Sequence, residues 1–222
     1  MVGVVTGDMP TDFDRARDAL VDRLIEAGRI ERPETERARR AVPRHEFVPD
    51  ERRDTAYNDR PLPIGEGQTI SAPHMVATMT DLLAPDPGDD VLEIGTGCGY
   101  HAAVTSEILG DGTVYSVEYE PALAREARER LERLGYGDDV RVRVGDGRDG
   151  WPEHAPYDGA YLTCAPASIP EPVVEQVRPG GRIAGPVGRG RQVLVSLTRR
   201  ADGGVDRETH GGVRFVSMQG DD

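Results

Sequence analysis

The sequence predicts an α/β protein: a doubly wound, mostly parallel seven-stranded sheet with an antiparallel edge, preceded by an N-terminal helical extension. Three observations predict it. From residue 90 onward, apolar runs at 90–94, 113–118, 140–144 and 158–163 alternate with helix-length stretches at 99–109, 121–134 and 171–178. Alternation of this kind implies right-handed crossovers and parallel pairing. The later runs at 192–199 and 213–218 have no helix-length connection to the run at 181–187, so they form the antiparallel edge. Glycines gather where the first strand ends, at Gly95, Gly97 and Gly99, which is where an open α/β sheet holds its ligand.

Each element has a local reason. Residues 1–10 read as a ragged leader. The stretch 12–27 places Leu20, Val21, Leu24 and Ile25 on a helical stripe, with Thr11 or Asp12 available as cap and Gly28 as stop. A second short helix follows at 33–41, then a loop at 42–49. The stretch 57–71 holds too many turn formers for an element interior. After it, Met75, Val76, Met79, Leu82 and Leu83 share one helix face, which Pro85 and Pro87-Gly88 terminate. The expected organisation is a helical segment with a substrate loop at 1–88 and a Rossmann-like core at 89–222, packed as one compact unit.

Composition narrows the function. No apolar run approaches the roughly 20 residues of a membrane span, and no signal peptide pattern is present, so a cytoplasmic protein is expected. The net charge of −13 argues against a nucleic-acid partner, which needs a basic face. All 27 basic residues are arginine. An acidic, lysine-free surface suits a halophilic source; a GC-rich genome explains the arginines equally simply, and halophilic proteins are acidic whatever they bind. The two cysteines, Cys98 and Cys164, lack metal spacing and read as reduced thiols; no metal is expected.

The glycine run belongs to a larger constellation. Gly95-Thr96-Gly97-Cys98-Gly99 follows the strand ending Glu93-Ile94, and glycines let a ligand approach the backbone while the next helix offers free N–H groups. A lone glycine cluster is also an ordinary tight turn. Glu118 ends the second strand, 23 residues after Gly95, where a carboxylate can accept from both hydroxyls of a ribose. Asp146, in Gly145-Asp146-Gly147, ends the third, where it can bind an adenine amino group. The dinucleotide fingerprint is G-x-G-x-x-G/A, but here bulky Tyr100 stands where its third small residue belongs. S-adenosylmethionine has no pyrophosphate to cradle, and Glu93 suits its ammonium group, directly or through water. That cofactor is the expected ligand.

Upstream and downstream motifs carry a resemblance. Val42-Pro43-Arg44, Phe47-Val48-Pro49, Ala56-Tyr57, Pro63-Ile64-Gly65 and Gln68-Thr69-Ile70-Ser71-Ala72-Pro73-His74-Met75 precede the glycine loop. Trp151-Pro152, Pro156-Tyr157-Asp158, Pro179-Gly180-Gly181-Arg182 and Pro186-Val187-Gly188 follow it. From about Ala41 to Phe215 the chain resembles the protein-L-isoaspartate O-methyltransferases. The resemblance implies methylation of the free carboxylate at isoaspartyl residues in damaged proteins and peptides. The ester then closes to a succinimide, whose hydrolysis restores some normal aspartate. It also implies that the last two strands are exchanged relative to most methyltransferases; a monomer is expected. The family's active-site serine matches Ser71. Toward the cofactor the implied residues are Thr69, Ile70, Ser71, Glu93, Gly95 and Thr96, with Gly97, Gly99, Glu118, Tyr119, Asp146 and Gly147. Toward the acceptor they are Ile64, Ser71 and Thr163. The chain departs from the pattern at Cys98, at Thr163-Cys164-Ala165-Pro166 and at Val216-Ser217-Met218.

The chemistry agrees with that placement. A carboxylate of pKa about 4 is ionised at neutral pH and needs no general base. The task is positioning and exclusion of water. A hydroxyl at a helix start can hold an anion, although Ser71 before Ala72-Pro73 also reads as a plain N-cap. Cys98 reads as a small filler. Two rivals remain: methylation of tRNA or a small molecule on the same scaffold, and a non-catalytic paralogue that binds the cofactor.

Overall fold

The computed structural model describes residues 11–220, so the leader at 1–10 lies outside the described residues. Helix α1 (Asp12–Glu26) opens with a capping box: Asp14 N–H donates to Thr11 Oγ1 at 3.1 Å, and Thr11 N–H donates to Asp14 Oδ2 at 2.9 Å. It buries Leu20, Val21 and Leu24, but Ile25, expected on that stripe, is exposed. Helix α2 (Pro33–Ala41) starts on proline. The loop expected at 42–49 contains a 3₁₀ turn, Arg44–Phe47, followed by a second, Asp50–Thr55.

The stretch 57–71 corrects the sequence reading. Its turn formers build a hairpin of β1 (Leu62–Gly65) and β2 (Gln68–Ile70), pairing Leu62 with Ile70 and Pro63 with Thr69. Glu66 and Gly67 form the tip with positive φ, which explains the density of turn residues. Helix α3 (Pro73–Leu83) follows at once and ends at Ala84 in the left-handed region.

The core consists of β3 (Val91–Ile94), α4 (Tyr100–Leu109), β4 (Val114–Glu118), α5 (Pro121–Arg133), β5 (Val140–Val144), β6 (Tyr157–Leu162), α6 (Glu171–Glu175), β7 (Val177–Val187), β8 (Gln192–Arg199) and β9 (Val205–Val213). The strand order is β5-β4-β3-β6-β7-β8-β9, parallel through β7 and antiparallel at β8 and β9. The last three strands thus lie in chain order. Two boundaries differ from the sequence reading at β7 and α6: the strand begins at Val177 rather than 181, where Val177 pairs with Tyr157, and the helix is cut to five residues.

The largest correction concerns the last strand. The apolar run 213–218 is not it; β9 is the polar stretch Val205–Val213, almost wholly exposed, pairing Val205 with Arg199 and Val213 with Gln192. An edge strand exposed on both faces has no alternation to read. The chain after β9 instead returns along the carboxyl end of the sheet. Ala165 N–H donates to Val216 O at 2.8 Å and Met218 N–H to Ala165 O at 3.0 Å. Its apolar residues pack downward, Phe215 against the larger apolar cluster and Met218 against the smaller. The larger cluster joins Leu20 and Phe47 of the N-terminal elements to Val104 and Leu194 of the core.

Candidate active site

Register brings the ligand-facing residues to one edge. Ile94 lies opposite Val117 of β4 and Leu162 of β6, and Glu118 lies opposite Val144 of β5. The loops that leave these strands therefore open side by side. They border a partly open cleft with Ile94 and Val117 in its wall.

The glycine loop is held from several directions. Gly95, Gly97 and Gly99 all have positive φ, and Gly99 caps α4 in the left-handed region. A Cβ on Gly95 would run into Thr163 Oγ1, which donates to Gly95 O at 2.5 Å. One on Gly97 would meet Ile64 Cδ1 of the hairpin at 3.2 Å, and one on Gly99 would meet Leu131 of α5 at 3.1 Å. Gly97 N–H donates to Glu118 Oε2 at 2.7 Å, while Glu120 N–H donates to Oε1 at 3.0 Å. Glu118 is thereby aimed before any ligand arrives, and it lines the cleft.

Of the residues expected at the cofactor, Thr69, Gly95, Gly97, Glu118, Tyr119 and Gly147 line this cleft, joined by Thr163 from the acceptor set. Gly147 is required there, because a Cβ would collide with Ile94 Cγ2. Ile64, Ile70, Ser71, Glu93, Thr96, Gly99 and Asp146 are outside the lining. Thr96 is buried and pairs its hydroxyl with Ser116 Oγ at 2.5 Å. Ile70 and Ile64 are buried hairpin residues.

Two of the expected carboxylates, Glu93 and Asp146, are outside the cleft lining. Glu93, expected at the ammonium group, is fully buried inside β3 and outside the cleft lining, where it takes the hydroxyl of Ser116. Burial pushes its carboxyl up to about 8, with the Glu118 charge adding to the rise and hydrogen bonds from Ser116 and Tyr161 opposing it. A strand with all four residues buried leaves no solvent-facing position for it. Asp146 is also outside the lining. It accepts Arg148 N–H at 2.9 Å and pairs with the Arg148 guanidinium at 3.2 Å, while Arg148 also reaches Gln219 O at 2.8 Å.

Ser71 is half-buried between β2 and α3. The N-cap of α3 is Ala72, and the first-turn N–H of His74 donates to Asp59 Oδ1 at 2.9 Å, so the Ser71 hydroxyl is not the cap. Its carbonyl accepts from Arg44 Nη2 at 2.9 Å. The Val216-Ser217-Met218 stretch, a departure from the family pattern, lines the cleft together with Gln219 and Cys164. Burial pushes the Cys164 thiol up to about 12 and raises that of Cys98, so neither is an activated nucleophile. Gln68 and the wall residues Ile94 and Val117 were missed. Their signal was their position, one residue before a predicted contact in each case. Among the described residues no cluster of His, Cys, Asp and Glu has the make-up of a metal site, and no helix is long and apolar enough to cross a membrane.

A parallel sheet with glycine, glutamate and aspartate loops at one edge, and a hairpin closing over them, defines a Rossmann-like methyltransferase. Residues 15–222 match the protein-L-isoaspartate(D-aspartate) O-methyltransferase (PCMT) family, and the chain belongs to it. It is 51% identical over 211 residues to protein-L-isoaspartate O-methyltransferase 2 of Archaeoglobus fulgidus, covering 95% of both chains. It is 50% identical over 212 residues to the Methanopyrus kandleri enzyme of that name, covering 95% of this chain and 94% of the other. A solved protein-L-isoaspartate O-methyltransferase superposes with TM-score 0.84 at 31% identity, covering 92% of this chain and 66% of that one. A Plasmodium falciparum chain solved with S-adenosyl-L-homocysteine has TM-score 0.80 at 22% identity, a likeness of fold, covering 91% of this chain and 98% of that one. Cofactor and reaction class follow with the family: S-adenosylmethionine, and methyl transfer to a protein carboxyl group.

Proposed function

We propose that this enzyme methylates the free carboxylate of L-isoaspartyl residues in damaged proteins and peptides, starting their return to aspartyl through a succinimide. The observation that carries the reading is the meeting of two sets of residues. Thr69 of the hairpin shares one cleft with Gly95, Glu118 and Gly147 of the sheet loops. The residues fit the cofactor: glycines leave room where a Cβ would collide, the Glu118 carboxylate is pre-aimed for ribose hydroxyls, and Ile94, Val117 and Met218 offer apolar wall to a purine. When bound, the cofactor's sulfonium supplies an activated methyl group.

The remaining work falls to the chain. Ser71, freed of capping, donates to the acceptor carboxylate; no base is needed because the acceptor is already ionised. Thr163 acts on the glycine loop through its bond to Gly95 O rather than on the acceptor. The segment 216–219 covers the cleft and excludes water. The enzyme works as a cytoplasmic monomer without nucleic acid or membrane, in a halophilic cell; the −13 charge and the wholly arginine basic set support this setting. Incubating an isoaspartyl peptide with enzyme and cofactor through repeated cycles tests the repair reading by chromatography. Accumulation of the aspartyl peptide supports it, and a peptide left unchanged refutes it.

A further inference from the structure

Two arginines are buried where no acid answers them. Arg39 is 2% exposed and Arg44 is 0% exposed, and among the described residues neither forms an ion pair with a carboxylate. Burying an unpaired guanidinium is costly, and an apolar side chain of similar length would fill the space more cheaply. The two differ in what they hold. Arg39 reaches only Tyr100, donating to its hydroxyl and lying 5.2 Å from its ring centroid. Arg44 spans three segments of chain. Its Nε donates to Ala56 O at 2.9 Å, its Nη2 donates to Ser71 O at 2.9 Å, and its guanidinium lies 4.9 Å from the centroid of the Tyr100 ring.

Those contacts join the two halves of the site. Tyr100 opens α4 directly after Gly99, so it is fixed to the glycine loop. Ser71 directly follows the hairpin that reaches the same cleft through Thr69. The backbone at Ser71 belongs to neither β2 nor α3, and Asp59 holds α3 only from His74 N–H onward, so regular structure does little to set the height of Ser71. Building on the repair reading, we propose that Arg44 is the positioning residue for methyl transfer: it clamps the Ser71 carbonyl to the base of the glycine loop and so sets the distance between acceptor and cofactor. Burial pulls the guanidinium down only to about 10, so it keeps its charge at neutral pH. Charge-assisted bonds of this kind are stronger than neutral ones and resist slippage.

The clamp is tested with Arg44→Lys, which keeps the charge and loses the fork, beside Arg39→Met, which removes the neighbour that touches no loop carbonyl. Folding is read by circular dichroism, cofactor-site integrity by calorimetry with S-adenosylhomocysteine, and turnover with an isoaspartyl peptide. Expected for Arg44→Lys is a kcat down by about 100-fold, the scale on which a misplaced acceptor reacts, with S-adenosylhomocysteine affinity within about threefold of the parent. Arg39→Met is expected to melt no earlier than the parent, with kcat within about threefold. A folded Arg44→Lys with near-parental kcat overturns the proposal. So does a parallel loss of kcat and S-adenosylhomocysteine affinity, or an equal kcat loss in Arg39→Met. If Arg44→Lys does not fold, Tyr100→Leu removes the ring beneath the guanidinium and is judged by the same kcat and affinity criteria. Parental enzyme is assayed in parallel; its failure to methylate the peptide counts against the repair reading, not the clamp.

Discussion

Ser71 stands between two elements and caps neither. Replacing it with alanine therefore separates chemistry from stability. An N-cap would cost about 1 kcal/mol on removal, whereas this hydroxyl costs under about 0.5 kcal/mol. Ser71→Ala is expected to melt with the parent enzyme in thermal denaturation and to lose most of its isoaspartyl methylation. Glu93 makes the opposite kind of statement. With its carboxyl raised from 4.5 to about 8, the folded chain keeps a proton that the unfolded chain has released. The native state then binds more protons across that window, so this group's contribution to stability falls as pH rises from about 4.5 to about 8 and levels beyond it. Glu93→Gln, measured without cofactor by denaturant titration, is expected to flatten that decline; an unchanged profile would show that the carboxyl is not proton-loaded. Residue identity was legible where a type is chemically demanding: Glu118 was readable from its place at a strand end, while Gly147 came with the family resemblance. The direction in which a side chain points was not. Glu93 and Asp146 carry the right chemistry, but one faces the sheet interior and the other faces Arg148.

At the level of elements, the glycine loop is over-determined. An alanine at Gly95 meets both a φ of +95° and Thr163 Oγ1, for a combined cost of about 2–4 kcal/mol. Adding Thr163→Ala to Gly95→Ala should return part of that stability, since it removes the collision and leaves the backbone strain; a fully additive double variant would deny the contact. The segment after β9 is equally open to test. Ending the chain after Arg214 removes four cleft residues, Val216 to Gln219, from outside every strand. Such a variant is expected to keep its far-ultraviolet spectrum and to bind S-adenosylhomocysteine at least about tenfold more weakly in calorimetry, roughly 1.4 kcal/mol. This segment also explains the main error of the sequence reading. Val213, Phe215, Val216 and Met218 look like a strand because they are buried in part, but what they cover is the cleft end of the sheet. The true strand β9 escaped notice because neither of its faces is covered. Likewise the β1–β2 hairpin hid behind the glycines of its turn and the proline inside β1.

For the whole molecule, the sheet was the most legible feature, since β3, β4 and β5 alternate with α4 and α5. How the N-terminal segment joins the core was not, because the larger apolar cluster is assembled from residues far apart in sequence, such as Leu20, Phe47 and Val104. Electrostatics belongs to this scale as well. A net charge of −13 repels itself, and salt screens that repulsion. If the surface is adapted to salt, lowering salt from about 3 M to about 0.1 M should drop the melting temperature by about 10 °C or more, whereas a profile indifferent to salt would leave genome composition as the source of the arginines. The central claim is that this surface, hairpin and cleft together serve one acceptor. It is tested most directly by offering methyl-labelled cofactor and enzyme, at high salt, to an isoaspartyl peptide and to its aspartyl twin of identical sequence. The account predicts label in the isoaspartyl peptide alone, released as volatile methanol under mild base. Equal labelling of the twins, or no label in either while the cofactor is bound, would contradict it.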